Sequence, residues 1–140
     1  NEAGDGTDVP EVNGGNGPES FAATANGTRV RFDRLSPAPF ALDIGTTEAL
    51  VLNANGGDDS FAATGNLAAL IRIAVDGGAG NDYQNGGFGN DWQVGGHGND
   101  TQVGGWGNDV QFGGHGNDLQ VGGPGWDVQF GGPGFDFKLP

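Results

Sequence analysis

Cysteine and methionine are absent from the chain, and only five of its 140 residues are lysine or arginine. Without cysteine, neither a disulfide bond nor a thiolate metal site holds the fold. The five basic residues stand against 18 acidic residues and give a formal net charge of −13, which disfavours binding to nucleic acid or to an anionic membrane surface. The composition therefore favours cations as partners.

Long hydrophobic runs are also missing. No stretch approaches the roughly 18 apolar residues of a membrane span, and the first residues show neither the basic region nor the hydrophobic segment of a signal peptide. Because the chain begins without Met, we expect a processed form or a fragment. Only 34% of the residues are hydrophobic and 31 are glycine, so an ordinary globular core is not expected.

A nine-residue repeat fills the second half of the chain. From Gly77 to Leu139 the sequence divides without insertion into seven units of nine residues. The units are GGAGNDYQN, GGFGNDWQV, GGHGNDTQV, GGWGNDVQF, GGHGNDLQV, GGPGWDVQF and GGPGFDFKL. A period this strict predicts that each unit adds one copy of a local structure that stacks on its neighbours. The alternative for a Gly- and Asp-rich sequence is a flexible spacer, which seven in-phase copies disfavour.

The first half of the chain repeats more loosely. Segments 13–24 and 55–64 share an Asn-Gly-Gly start and a Ser-Phe-Ala-Ala-Thr end. Alternating apolar residues predict strands at Val30/Phe32, Phe40/Leu42/Ile44, Leu50/Leu52 and Ile71/Ile73/Val75. We therefore predict an all-β fold, a parallel β-solenoid with three parts. These are an extended N-terminal tail (1–12), wider degenerate rungs (13–76) and seven regular repeats (77–140).

The first six residues of a unit have the form Gly-Gly-x-Gly-x-Asp. Glycine permits positive φ, so the backbone turns tightly and points carbonyl oxygens at one centre, and the aspartate adds a charged oxygen. Ca²⁺ prefers roughly six to eight oxygen ligands, so two stacked turns would have to share one ion. The asparagines before the aspartates are interpreted as turn formers, because asparagine tolerates left-handed geometry. They are Asn81, Asn90, Asn99, Asn108 and Asn117.

This pattern resembles the RTX, or haemolysin-type, calcium-binding repeats, Gly-Gly-x-Gly-x-Asp-x-U-x, in which U is a large aliphatic residue. The match covers residues 77–136 apart from the U position. The resemblance implies a parallel β-roll in which each ion lies between repeats n and n+2. Aspartates 18 residues apart then become partners: Asp82, Asp100, Asp118 and Asp136 on one side, and Asp91, Asp109 and Asp127 on the other. The gaps between them imply about five Ca²⁺ ions.

At the U position the chain departs from the family. The residues there are Gln84, Gln93, Gln102, Gln111, Gln120 and Gln129, followed by Lys138. In the family's register the glutamine amides fill the interior as hydrogen-bonded ladders; in an inverted register the flanking apolar residues lie inside. Three-residue strands leave little room for two large inward side chains, which favours the inward glutamines.

Inward glutamines would leave apolar residues on the outer face of one sheet. These are Trp92, Val94, Val110, Phe112, Val128 and Phe130. Such a patch is typical of a binding surface, and the open ends of a solenoid invite another chain. We therefore expect self-association through these outer faces or the open ends, for which the tail is a candidate joining strand.

Taken together, these features predict a calcium-binding, secreted, bacterial-type extracellular protein with a structural role in a filament or matrix. The alternative is a calcium-triggered folding or secretion module of a larger secreted toxin, hydrolase or adhesin. No serine has a neighbouring base, and no acid pair stands apart from the calcium pattern, so we expect no enzyme activity.

Two minor features complete the sequence analysis. His97 and His115 occupy the third position of repeats on one side, so they are expected to stack, either as exposed variable residues or as ligands of a softer metal. Asn26-Gly27-Thr28 is an N-glycosylation acceptor pattern on a predicted turn.

Overall fold

The computed structural model describes residues 9–27, 29–45, 49–65 and 72–140. Within these residues the regular structure is entirely β, which confirms the all-β part of the predicted fold class. The strands are β1 Glu11–Asn13, β2 Ser20–Asn26, β3 Arg29–Ser36, β4 Phe40–Gly45, β5 Ala49–Asn53, β6 Ser60–Thr64, β7 Arg72–Ala79, β8 Tyr83–Asn85, β9 Trp92–His97, β10 Thr101–Val103, β11 Val110–His115, β12 Leu119–Val121, β13 Val128–Phe130 and β14 Phe137–Leu139. None of the described elements is a helix long and apolar enough to cross a membrane.

Three sequence predictions fall partly outside this range. Most of the predicted tail, residues 1–8, lies outside the described residues, and so do Thr28 of the glycosylation pattern and Ile71 of the last alternating segment. The end of the predicted tail belongs to β1, which pairs in parallel with β5.

The strands form two sheets. One has six strands in the order β1-β5-β7-β9-β11-β13, and the other has eight in the order β14-β12-β10-β8-β6-β2-β3-β4. From β5 onward, successive strands alternate between the sheets, and each pairs in parallel with the strand two places along the chain. In the repeats, residues 18 positions apart stand side by side, as in Gln102 beside Gln84 and Gln120.

The described strands β3 and β4 break this alternation. β2 pairs antiparallel with β3, and β3 pairs antiparallel with β4, so these two strands extend one edge of the eight-stranded sheet. Only two residues separate β2 from β3, a connection length that suits an antiparallel hairpin.

Glycine is needed at the second and fourth positions of the turns. Gly96 and Gly98 have φ of 112° and 134°, a region that side chains disfavour. In the turn before the repeats, Asn55 takes the second position with φ of 74°, and no other non-glycine among the described residues has positive φ. The left-handed geometry expected for the asparagines before the aspartates is therefore wrong.

Those asparagines instead link successive turns through their side chains. Oδ1 of Asn81 accepts a 2.8 Å hydrogen bond from the backbone N–H of Asn99, and Oδ1 of Asn99 accepts one from Asn117. Oδ1 of Asn108 accepts a hydrogen bond from the N–H of Trp126. These hydrogen bonds thus fix the position of each turn relative to the turn 18 residues later.

The interior changes from apolar to amide along the chain. The buried apolar cluster consists of Phe21, Ala23, Val30, Phe32, Leu50, Leu52, Ala54, Phe61, Ala63, Ile73 and Val75. In one sheet Val75 stands beside Gln93, and in the other Phe61 stands beside Gln84. From these positions onward, glutamine takes the inward place that apolar residues hold earlier.

The inward orientation of the glutamines is confirmed. Gln84, Gln93, Gln102, Gln111 and Gln120 are at most 1% exposed. Nε2 of Gln102 donates to Oε1 of Gln84 (3.1 Å) and to the carbonyl oxygen of Phe112 in the opposite sheet (3.0 Å). Gln111 and Gln120 repeat this pattern, so their amides tie each turn to the turn 18 residues earlier and one sheet to the other.

Candidate metal centre

The seven predicted aspartates form two columns with the expected 18-residue spacing. In the first column, backbone N–H groups donate from Asp82 to Oδ1 of Asp100 (2.8 Å), from Asp100 to Asp118 (2.9 Å) and from Asp118 to Asp136 (3.1 Å). In the second column, Asp91 donates to Asp109 (2.8 Å) and Asp109 to Asp127 (2.9 Å). The aspartates that the resemblance implied as partners, 18 residues apart, therefore meet in the structure.

The second carboxylate oxygen has no partner in five of these residues. Oδ2 is buried and accepts no hydrogen bond in Asp82, Asp91, Asp100, Asp109 and Asp118. Leaving a charged oxygen buried and unpaired costs several kcal/mol, so such groups pair with a cation or take up a proton. In each of the five carboxylates, Oδ1 accepts a hydrogen bond from the backbone, and Oδ2 remains available to a cation.

The first glycine of each turn lets that oxygen approach the backbone closely, because a side chain there would clash with it. A Cβ atom at Gly86 would lie 2.5 Å from Oδ2 of Asp91 and 2.8 Å from the carbonyl oxygen of Gly104. We call this arrangement a cradle: a first-position glycine faced by its own aspartate Oδ2 and by the first-position carbonyl of the turn 18 residues later. The described turns form five cradles, at Gly77, Gly86, Gly95, Gly104 and Gly113. At Gly122 and Gly131 the nearest atoms all belong to the aspartate of the same turn.

The donor atoms at the cradles are those that a hard cation prefers. Carboxylate and carbonyl oxygens suit Ca²⁺, which takes roughly six to eight of them. Within the described residues, no group of three or more His, Cys, Asp or Glu side chains gathers at one point. Side chains alone therefore do not complete a site, and backbone carbonyls from two turns would have to contribute. The composition of the cradles fits such a shared site.

Burial changes the acidity of the cradle aspartates. It raises the pKa of Asp91 and Asp100 to about 7 and that of Asp109 to about 6, because desolvation disfavours the charged carboxylate. It also raises the pKa of Asp82 and Asp118 above the usual value. A cation beside these oxygens would favour the charged form and oppose this effect.

Two further acids extend the first column, and sequence reasoning missed them. The N–H of Glu19 donates to Oδ1 of Asp59, and the N–H of Asp59 donates to Oδ1 of Asp82, both at 2.8 Å. Their turns read Gly-Gly-Asn-Gly-Pro-Glu (14–19) and Ala-Asn-Gly-Gly-Asp-Asp (54–59). When these segments are aligned with the repeats on the acidic residue, rather than on Asn-Gly-Gly, Glu19 and Asp59 occupy the position of the repeat aspartates.

The two histidines stack as expected. The ring centroids of His97 and His115 are 4.8 Å apart, with an angle of 4° between the planes. No third His, Cys, Asp or Glu joins them among the described residues.

The apolar outer face expected for one sheet is present in the six-stranded sheet. Trp92 lies 5.1 Å from Phe112, and Phe112 lies 5.1 Å from Phe130, measured between ring centroids. Trp92 is 47% and Phe130 is 53% exposed, so this aromatic row is largely open to solvent.

Comparison with known proteins adds no family assignment. No family model matches the chain, and neither a curated protein nor a solved structure matches it. The resemblance to calcium-binding repeats thus rests on residues 77–136, and function is argued from their geometry.

Proposed function

We propose that the chain is a calcium-binding β-solenoid whose two sheets form a β-roll and whose turns bind about five Ca²⁺ ions. The observation that carries this proposal is the coincidence of five buried, unpartnered Oδ2 atoms with five cradles. Each ion is shared by two turns, with Asp82, Asp91, Asp100, Asp109, Asp118, Asp127 and Asp136 as the acidic residues involved. Oxygen ligands without sulfur or nitrogen favour Ca²⁺ over transition metals.

Charge supports the same conclusion. Five divalent ions carry ten positive charges, which would change the net charge from −13 to about −3. Without them, closely stacked carboxylates repel one another and oppose the stacking that the amide ladders require. Calcium binding and folding of the repeats are therefore one coupled event.

The biological role that fits best is that of a secreted structural protein. Extracellular fluids supply Ca²⁺ at high concentration, and the absence of cysteine leaves the metal as the stabilising cross-link. The exposed aromatic row gives a surface for self-association into a filament or matrix.

A calcium-triggered folding module of a larger secreted toxin, hydrolase or adhesin is the second candidate. It is favoured by the concentration of unpartnered carboxylate oxygens in the repeats, which makes that part dependent on the ion. A module is expected to remain monomeric with Ca²⁺, whereas a filament subunit is expected to assemble.

The test of calcium binding compares two substitutions that each remove one negative charge. Asp100 belongs to two of the five aspartate pairs, while Asp76 is exposed and belongs to none. Isothermal titration calorimetry is expected to show at least one ion fewer for Asp100→Asn and an unchanged ion count for Asp76→Asn. Equal ion counts and affinities for the parent and Asp100→Asn would contradict the proposal.

A further inference from the structure

The acid at the first turn is satisfied without a metal. Oε2 of Glu19 accepts a 2.7 Å hydrogen bond from the N–H of Gly15, and Oε1 accepts one from Nη2 of Arg34. Glu19 is 3% exposed, so the guanidinium neutralises a buried carboxylate. Gly14 stands beside Oε2 of Glu19 and the carbonyl oxygen of Ala54, as in a cradle, but both carboxylate oxygens already have partners.

The second turn lacks the first-position glycine that defines a cradle. Its first residue is Ala54, where each of the seven repeat turns has glycine. A Cβ at that position in the repeats would overlap the aspartate Oδ2, so Ala54 carries the atom for which the repeat turns leave no room. Ala54 is 2% exposed and belongs to the apolar cluster. This turn therefore shares the buried, unpartnered acid oxygen of the five cradles, at Asp59, but has a side chain where each cradle has glycine.

The hydrophobic core lies in the same part of the chain. The eleven buried apolar residues of the described chain run from Phe21 to Val75, and none belongs to the nonapeptide repeats. Burial of aromatic and aliphatic side chains stabilises a fold by roughly 1.5–3 kcal/mol each without any ion. The N-terminal part thus has its own core as well as its own counter-ion.

We infer that the described residues between β1 and Asp76 form a calcium-independent folding base, in which Arg34 supplies the positive charge at the first turn and Ala54 closes the second turn to an ion. β6 and β7 are the edge strands with which β8 and β9 of the repeats pair in parallel. Because nucleation of a stacked repeat is less favourable than its extension, a preformed edge directs calcium-dependent folding from the base towards the last repeat. This directional step rests on the proposed calcium binding, whereas the metal-free base does not.

Hydrogen exchange of the full chain, resolved by mass spectrometry, tests the inference in EDTA and in Ca²⁺. In EDTA, amides of β2, β3 and β5 are expected to exchange at least about 100-fold more slowly than those of β10 to β13. Adding Ca²⁺ is expected to slow exchange in the repeats. Loss of protection throughout the chain in EDTA would overturn the base. Protection of β2, β3 and β5 with no calcium uptake would instead overturn the proposed function and leave the base standing.

Two arginines on β3 provide a matched pair. Arg34→Gln leaves the buried Glu19 without its cation, while Arg31→Gln breaks only the exposed pair with Asp33. In EDTA, Arg34→Gln is expected to lose protection in β2 and β3, Arg31→Gln to retain it, and Glu19→Gln added to Arg34→Gln to restore it. Equal protection in the two arginine variants would contradict the role of Arg34.

Ala54→Gly tests the closed turn by a gain of binding. With glycine at this position, the turn acquires the first-position glycine that the five cradles share, and Asp59 already has a buried, unpartnered Oδ2. Native mass spectrometry in Ca²⁺ is expected to show one more bound ion than in the parent. An unchanged ion count would contradict the assignment of Ala54 as the closing residue.

Discussion

The backbone N–H of Asp82 donates a 2.8 Å hydrogen bond to Oδ1 of Asp100, and Oδ2 of Asp100 is left buried without a partner. The first contact fixes how two turns stack, and the second oxygen lies against Gly95, where a Cβ atom would be only 2.3 Å from it. One side chain therefore contributes both to the stacking and to the proposed ion site.

The first prediction concerns pH in the metal-free protein. The aspartates have a usual pKa of 3.8, which burial raises to about 7 in Asp91 and Asp100 and to about 6 in Asp109. A raised pKa in the folded state means that the folded protein binds protons more tightly than the unfolded chain. This stability is fully present below pH 3.8 and is lost as pH rises through 6 to 7.

In EDTA, the folded fraction of the repeats is therefore expected to be lower at pH 8 than at pH 5. With saturating Ca²⁺ the trend is expected to reverse, because protons compete with the ion for the same oxygens. Melting followed by tryptophan fluorescence reports on the repeats, since Trp92, Trp106 and Trp126 all lie there. Higher stability at pH 8 than at pH 5 in EDTA would contradict the assignment.

The second prediction tests the cradles by steric filling. Gly95→Ala places a methyl group against Oδ2 of Asp100 and the carbonyl oxygen of Gly113. We expect it to bind one ion fewer by calorimetry. Gly15→Ala is the control, because its Cβ would have only one ordinary contact, 3.7 Å from Oε1 of Glu19. The same ion count in Gly95→Ala as in the parent would argue against the cradle as the place of binding.

The third prediction concerns the amide ladder. Gln102→Ala removes two hydrogen bonds that its Nε2 donates and leaves Nε2 of Gln120 without one acceptor. We expect a loss of about 2–4 kcal/mol in the free energy of unfolding, measured with denaturant in saturating Ca²⁺. Thr101→Ala on the neighbouring outward position is expected to cost less than about 1 kcal/mol. Similar losses in the two variants would mean that the ladder adds little stability.

The fourth prediction concerns assembly. Phe112 makes both ring contacts of the aromatic row, so Phe112→Ser divides the exposed row in two. Sedimentation velocity with Ca²⁺ is expected to show smaller species for Phe112→Ser than for the parent. Leu119→Ser on the other sheet is expected to leave assembly unchanged. A parent that stays monomeric with Ca²⁺ would favour the folding module over the filament subunit.

The sequence predicted the repeats better than it predicted the N-terminal part. The nine-residue period, together with the arrangement of alternate turns that the resemblance to calcium-binding repeats implied, predicted the aspartate pairs and the stacked histidines. The inward glutamines followed from the short strands, which cannot bury two large side chains on one face. Each repeat is one short segment, and the same local rule applies seven times.

The N-terminal part obeys weaker local rules. Apolar alternation at Val30 and Phe32 indicates a strand but is the same for parallel and antiparallel pairing, so it did not reveal how β3 pairs. Glu19 was missed because its turn was aligned on Asn-Gly-Gly. Its contact with Arg34 joins residues 15 positions apart that no repeat relates.

The most direct test of the central claim is a Ca²⁺ titration of EDTA-treated protein, followed by far-UV circular dichroism and by calorimetry, with Mg²⁺ as the control ion. The account predicts uptake of about five Ca²⁺ ions together with a gain of β signal that Mg²⁺ does not produce. Repeats that are fully folded in EDTA, with no Ca²⁺ uptake on titration, would contradict it.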